Sequence, residues 1–273
     1  MTARLAACAI YRDEADYLAE WIEFHRLCGF ELFFLYDNMS SDHHREVLAP
    51  YVEEGIVVLH DWRLPPPSQI PAYEHCLREH RGDSRWIAFF DIDEFLFNPQ
   101  RRPVPELLAG FERWPGVAVN LAQYGTSGYV EAPPGLVIEN YVWRSDDPEG
   151  ARFVKSIVDP RRVARCEGAH HFTYIEGEAV DTSEQPIEEG FSREPSYSLL
   201  RVNHYYTRSR SEWMQKLTRL RADTGELRRV PRVSVVGKRE SKLNAKLDDS
   251  ATIYAPAVRA ALEELEGVSA GGR

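Results

Sequence analysis

Arg85-Trp86-Ile87-Ala88-Phe89-Phe90-Asp91-Ile92-Asp93-Glu94-Phe95-Leu96-Phe97 sets two apolar runs around a short acidic one. Trp86 to Phe90 is short enough for a strand buried on both faces. Side chains alternate along a strand, which predicts Asp91 and Asp93 on one face and Ile92 turned back into the core. Two neighbouring carboxylates repel each other, so a cation between them is a natural complement, and hard oxygen ligands favour Mg²⁺ or Mn²⁺. Such a pair is useful at the carboxyl end of an open parallel sheet, where ligand crevices form. The residues therefore predict a metal site that grips a diphosphate. The plainer reading is that Asp91 and Asp93 end a strand and cap the next turn, and the tripeptide alone does not separate the two.

Composition narrows the field. The 273 residues are 43% hydrophobic and 28% charged, enough for a substantial core. A formal charge of -10 and a pI near 5.5 argue against nucleic acid as the main partner, although a local Lys/Arg cluster can still hold a small phosphate ligand. Cys8, Cys28, Cys76 and Cys166 show no Cys-x-x-Cys spacing, which predicts reduced thiols in a cytoplasmic protein. Leu5–Tyr11 meets Arg12-Asp13-Glu14 without a small-residue cleavage site, so it reads as a first strand rather than a signal peptide. No apolar run approaches the ~18 residues of a membrane span. Peripheral attachment beside a membrane stays compatible with that.

Working outward from the acidic segment, the chain alternates strands and helices. Strands are expected at Leu5–Ile10, Leu32–Tyr36, Ile56–Leu59 and Trp86–Phe90. Asp13 and Asp42 are expected to cap the first two helices, and Gly29 and Gly55 to stop them. Pro65-Pro66-Pro67 forces an extended loop before a helix carrying Ala72, Tyr73, Cys76, Leu77 and His80. This pattern predicts an α/β fold whose central sheet is mostly parallel and flanked by helices. Loops at the carboxyl ends of the strands then share one edge, and each contains a carboxylate. There is no Gly-x-Gly-x-x-Gly and no Walker-type loop, which excludes dinucleotide oxidoreductases and P-loop NTPases.

The second half predicts a helix at Val104–Arg113 and strands at Val117–Leu121, Leu136–Trp143, Phe153–Val158 and Leu199–His204. Ser209-Arg210-Ser211-Glu212 is a capping box opening a further helix with Trp213, Leu217 and Leu220 inward. Arg228–Lys246 reads as a mobile basic tail before a last helix at about Ala255–Leu265. No linker divides the chain. It reads as one domain over 1–273, with a nucleotide-binding half (1–100), an acceptor-side half (101–225), and a tail with a terminal helix (226–273).

Tyr11–Glu14, Glu20–His25, Tyr36-Asp37-Asn38, the set Gln69, Ala72, Tyr73 and Cys76, and Trp86–Leu96 resemble glycosyltransferase family 92, close to the family 2-like group with the GT-A fold. Asn203-His204-Tyr205-Tyr206 with Arg208, Ser209 and Lys216 resembles the same family's C-terminal signature. The similarity runs from about Ala6 to Arg221, with several motifs in the family's order. It implies an enzyme that transfers a hexose from a nucleotide-diphosphate sugar, UDP-sugars favoured, to a saccharide or other hydroxyl acceptor, with inversion. Asp91, Asp93 and His204 would hold Mn²⁺ or Mg²⁺. Tyr11, Glu14 and Asp37 would contact the nucleoside, Gln69 would start the helix beneath the donor, and Lys155, Arg208 and Lys216 would neutralise the leaving diphosphate. The family usually has Asn-Glu after the arginine, and here Asp13-Glu14 stands in its place. An added negative charge there is unfavourable beside a diphosphate, so Asp13 reads as a cap rather than a ligand.

Inverting transfer also needs a carboxylate near the acceptor hydroxyl. The candidates are Asp181, Glu178 and Glu176. Of His170 and His171, adjacent on a strand, at most one can face the cleft, whereas His43 and His44 read as solvated. Two rivals remain. In a HAD-type phosphatase the first Asp of such a motif is the nucleophile, but Phe95 stands where Thr or Val is expected and Asp248-Asp249 is the only late acidic pair. A catalytically inactive GT-A glycan-binding protein would not need Asp91, Asp93 and His204 together.

Overall fold

The computed structural model describes residues 2–227 and 233–271. The first half forms β1 (Ala3–Tyr11), α1 (Ala15–Leu27), β2 (Leu32–Asp37), α2 (His44–Glu54), β3 (Val57–Asp61), α3 (Gln69–Glu79) and β4 (Ser84–Phe89). Its strands lie parallel in the order β3-β2-β1-β4. The unbroken apolar runs follow from burial of both faces. Leu5, Ala7 and Ala9 of β1 pack under α1 with Leu18, Trp21 and Phe24, while Ala6, Cys8 and Ile10 pack under α3 with Ala72, Tyr73 and Cys76.

Gly29 and Gly55 stop the helices as expected, with φ of 94° and 80°. A Cβ at Gly29 would also stand 2.8 Å from Pro105 Cδ. The N-caps differ from expectation. Asp13 has φ 54° and its Oδ1 accepts from Ser41 N at 2.8 Å. Asp42 accepts from Ala15 N at 2.8 Å, so it satisfies the start of α1 besides its own helix, where His44 N donates at 3.3 Å. Loops after neighbouring parallel strands lie side by side, and here they exchange hydrogen bonds, Asp42 capping α1 and Asp13 bracing the loop before α2.

The second half comprises β5 (Glu94–Phe97), α4 (Val104–Leu108) with a 3-10 turn at Ala109–Phe111, β6 (Gly116–Gln123), α5 (Val137–Asn140), β7 (Trp143–Arg144), β8 (Val154–Val158), β9 (Val163–Gly168), β10 (His171–Tyr174), β11 (Val180–Asp181) and β12 (Arg201–His204). It ends with α6 (Arg210–Leu217), α7 (Val233–Leu243), β13 (Lys246–Leu247) and α8 (Ala255–Gly271). The sheet continues past β4 through β8, β6, β12 and β5, and β11 also pairs with β6. β8 is antiparallel to both β4 and β6, and β5 to β12. Among the described residues the sheet is therefore mixed, with five parallel pairings and three antiparallel ones, so that it stays mostly parallel as expected. β4 and β5 stand four places apart in it, ~19 Å if it were flat, yet a turn closed by Glu94 N on Asp91 O at 3.0 Å joins them. The sheet curls to bring them together, giving the α/β architecture expected of a GT-A fold.

Two further expectations change. Leu136–Trp143 contains the short helix α5, because the Glu20 carboxylate accepts from Val137 N (2.8 Å) and Ile138 N (3.2 Å). Within the expected tail, residues 228–232 lie outside the described residues, Val233–Leu243 is helical, and Lys246 and Leu247 pair with β7. Val236 packs against Trp213 and Leu217, the apolar surface that holds this segment in place. Among the described residues, no helix is long and apolar enough to cross a membrane.

Candidate active site

The carboxyl ends of β1, β4, β6 and β12 open into a cleft of about 990 Å³ lined by Tyr11, Glu14, Gln69, Asp91, Asp93 and His204 among others. A second depression of about 900 Å³, between α1, α2 and α8, contains none of these six residues.

The acidic segment is not displayed by strand alternation. β4 ends at Phe89 and Glu94 begins β5, so Asp91 to Asp93 form the turn between them, braced by Asp91 N on Glu94 Oε2 at 2.8 Å. Asp91 Oδ1 accepts from Gln69 Nε2 at 2.9 Å and Oδ2 from Lys155 Nζ at 3.0 Å. Lys155, on β8 and 1% exposed, also lies 3.1 Å from Glu94 Oε2. Burial works against the lysine's charge, but Asp91 and Glu94 outweigh it and push its pKa up. Burial pushes Glu94 up too, against the pull of Lys155.

The antiparallel register of β12 on β5 sets His204 directly across from Glu94. His204 Nδ1 lies 3.6 Å from Glu94 Oε1, and neither atom has a hydrogen-bond partner among the described residues. His204 Nε2 lies 3.5 Å from Asp93 Oδ1, long for a hydrogen bond. Two ligands sharing one ion at ~2.1 Å each stand roughly 3.0–3.4 Å apart, so the gap suits a cation. A carboxylate on the histidine's far nitrogen is the usual support for such a ligand. Asp93 and His204 thus fit a divalent ion, with Glu94 behind His204. Asp91 has Gln69 on one oxygen and Lys155 on the other. Among the described residues no three His, Cys, Asp or Glu side chains converge on one ion. Two protein ligands suit an ion that takes its remaining oxygens from water and substrate phosphates.

Lys216 reaches the same carboxylate from α6, whose start is fixed by the expected capping box of Ser209 and Glu212. Its Nζ contacts Asp93 Oδ2. Burial raises the Asp93 pKa, but Lys216 and His204 more than reverse that and hold it well below the usual carboxylate range.

Tyr11, Glu14 and Gln69 are brought to the cleft. Asp37 is not among its lining; it is buried, accepting from Ser40 N at 2.8 Å with His44 Nε2 at 3.3 Å, and Asn38 lines the cleft instead. His44 is accordingly buried rather than solvated. Arg208 lies behind the wall: it donates to Glu14 Oε2 at 2.7 Å and covers the Tyr17 ring, so it orients Glu14 rather than meeting a phosphate. Lys155 likewise sits beneath the acidic turn.

The expected general bases are not at the site. Asp181 pairs with Ala118 near the start of β6, some five residues (~17 Å) before the cleft end at Gln123. Its buried Oδ1 accepts from Ser183 N (2.8 Å) and Gln185 N (3.0 Å), as a turn brace does. Glu176 and Glu178 are exposed and flank Gly177, which rests on Pro115 at that same distant end. Of the histidine pair, His170 lines the cleft, with Nδ1 donating to Val154 O at 2.8 Å, which leaves Nε2 as an acceptor. Burial, with Lys155 nearby, lowers its pKa to about 4, so it is neutral at pH 7. Asp248, which the phosphatase reading would need, is bound by Arg144 and Arg201 away from the cleft. Sequence reasoning missed Glu94 as the partner of Lys155 and His204; its place directly after Asp-x-Asp was the available signal.

The glycosyltransferase family 92 model matches residues 4–226. Family 92 proteins of Ricinus communis and Oryza sativa subsp. japonica are 30% and 31% identical over 187 and 181 residues, 63% of this chain in each case and 32% and 30% of theirs. A galactan beta-1,4-galactosyltransferase of Arabidopsis thaliana is 26% identical over 185 residues, 62% of this chain and 36% of its own. The chain spans about a third of the length of these curated relatives. The solved structure of S. aureus TarS 1-349 covers 57% of this chain and 47% of its own at a TM-score of 0.41 and 9% identity, too slight a likeness to carry an argument.

Proposed function

Since the chain belongs to glycosyltransferase family 92, we propose that it transfers a hexose from a nucleotide-diphosphate sugar to a hydroxyl of a saccharide acceptor, with inversion at the anomeric carbon. The observation that carries this reading is the acidic turn beside His204 in the cleft, with Asp93 and His204 spaced for one divalent ion. Mn²⁺ or Mg²⁺ held there would supply charge neutralisation for the departing diphosphate. Relatives named as galactan beta-1,4-galactosyltransferases support a hexose donor and a saccharide acceptor, and we take UDP-sugars as the first donor class. In the reaction, the acceptor oxygen bonds to the anomeric carbon as the bond from that carbon to the phosphate oxygen breaks, the diphosphate leaves with that oxygen, and the hydroxyl proton passes to water in the cleft.

The chain's own groups divide the work. Gln69 and Lys155 hold Asp91, and Arg208 holds Glu14 at the mouth of the first strand. His170 Nε2 is available to accept a hydrogen bond from a sugar hydroxyl. We also propose a reducing compartment, the cytoplasm, because Cys8, Cys28, Cys76 and Cys166 are all buried and unpaired.

Thermal unfolding with UDP, GDP, CDP or dTDP, each with and without Mn²⁺, tests the reading. A ligand that binds only the folded state adds about 2.7 kcal/mol at 100 times its dissociation constant. One nucleotide is expected to stabilise the protein only with metal, and not to stabilise the Asp91→Ala/Asp93→Ala variant. Absence of any nucleotide response, with or without metal, would remove the donor-site assignment.

A further inference from the structure

Resting on the metal-dependent reading above, the geometry points to Lys216 as a built-in competitor for the metal position. Its ammonium holds Asp93, and it must release Asp93 before that carboxylate can ligate an ion. The two oxygens of Asp93 face different groups: Oδ1 looks toward His204 Nε2, and Oδ2 carries Lys216. A divalent ion at Oδ1 and an ammonium at Oδ2 would share one small carboxylate in a low-dielectric setting, where like charges repel strongly.

Charge bookkeeping across the turn leads to the same place. Asp91, Asp93 and Glu94 contribute three negative charges, and Lys155 and Lys216 return two positive ones. One net negative charge is a weak attractant for a divalent ion. Lys155 is 1% exposed between two carboxylates and has nowhere to go. Lys216 is different. It is 28% exposed, lines the cleft, lies over the Tyr206 ring and donates to Tyr206 O at 3.4 Å, at the border of the open space. A diphosphate arriving there offers the ammonium a new partner and frees Asp93 in the same movement. Metal and nucleotide should therefore bind cooperatively, with Lys216 carrying part of the coupling.

The test is titration of Mn²⁺ alone, and Mn²⁺ with UDP, followed by electron paramagnetic resonance of free Mn²⁺. Wild type is compared with Lys216→Met and Lys216→Arg, and thermal melts establish that the variants are folded. Lys216→Met is expected to bind Mn²⁺ alone at least tenfold more tightly than wild type. It should also bind UDP more weakly, so that UDP tightens Mn²⁺ by a smaller factor than in wild type. Lys216→Arg should keep the wild-type pattern. Equal or weaker Mn²⁺ binding by folded Lys216→Met, with UDP-dependent binding intact in wild type, would overturn this inference and leave the proposed function standing. No Mn²⁺ binding by any of the three proteins, with UDP or without, would overturn the metal-dependent reading and this inference with it.

Discussion

Asp181 and Asp93 are both buried aspartates, and their surroundings give them opposite uses. Asp93 faces an ammonium and an imidazole at the cleft, whereas Asp181 faces two turn amides at the far end of β6. A hydrogen bond to a charged group contributes about 1.5–3 kcal/mol. Asp181→Ala is thus expected to lower the unfolding free energy by that amount, read as a fall in urea midpoint at unchanged m, while leaving nucleotide-induced stabilisation unchanged. Loss of the nucleotide response in a folded Asp181→Ala protein would restore it as a functional group. The expectation of a general base at Asp181, Glu178 or Glu176 rests on carboxylate chemistry alone, which cannot tell a solvated base from a turn brace. At Asp91 and Asp93 the sequence did better, because an acidic pair after a fully apolar strand is a local signal. Even so, it did not show that the pair sits on a turn.

Elements are joined here by single buried polar groups, and His25 is the clearest case. It sits on α1, donates from Nδ1 to Trp21 O at 2.7 Å, and accepts from Leu96 N of β5 at 3.0 Å, so the folded state requires the neutral ring. Burial lowers its pKa to about 3. In the unfolded chain an ordinary histidine titrates near ~6.5, so below that pH the unfolded state takes up a proton that the folded state refuses. Its contribution is therefore present above ~6.5 and is lost as pH falls toward 3, by about 1.4 kcal/mol per pH unit. Between pH 8 and pH 5 that amounts to about 2 kcal/mol. Urea unfolding of His25→Gln should show a pH dependence flatter than wild type by this amount, and an unchanged slope would refute the assignment. The helices and their stops were legible because apolar spacing and left-handed glycines act within one element. α5 was not, since its start depends on the Glu20 carboxylate of α1.

For the molecule as a whole, the late segment acts as a clasp. Asp248 follows β13 and binds Arg144 beside it and Arg201 on β12, with both arginines largely buried. Breaking a buried ion network by removing one partner costs about 3–5 kcal/mol, because the remaining charges stay uncompensated. Asp248→Ala should accordingly lower stability by about 3 kcal/mol, read as a fall in denaturant midpoint. The metal-dependent nucleotide response should persist wherever the variant is folded, because Asp248 lies away from the cleft. A fall below 1 kcal/mol would show that the clasp carries little.

By itself the sequence determined the alternating first half, the glycine stops, the capping box of α6 and the acidic pair, all consequences of spacing and turn chemistry within a few residues. The tertiary structure alone decided that the sheet is mixed and curled, that Asp91 belongs to Lys155, and that Asp93 is held between His204 and Lys216. Those partners lie 64 residues from Asp91 and 123 residues from Asp93 for the two lysines. Ion pairing across such separations leaves no periodic mark in the chain. It depends on how β8, α6 and β12 pack around one turn, and that packing is a property of the folded molecule.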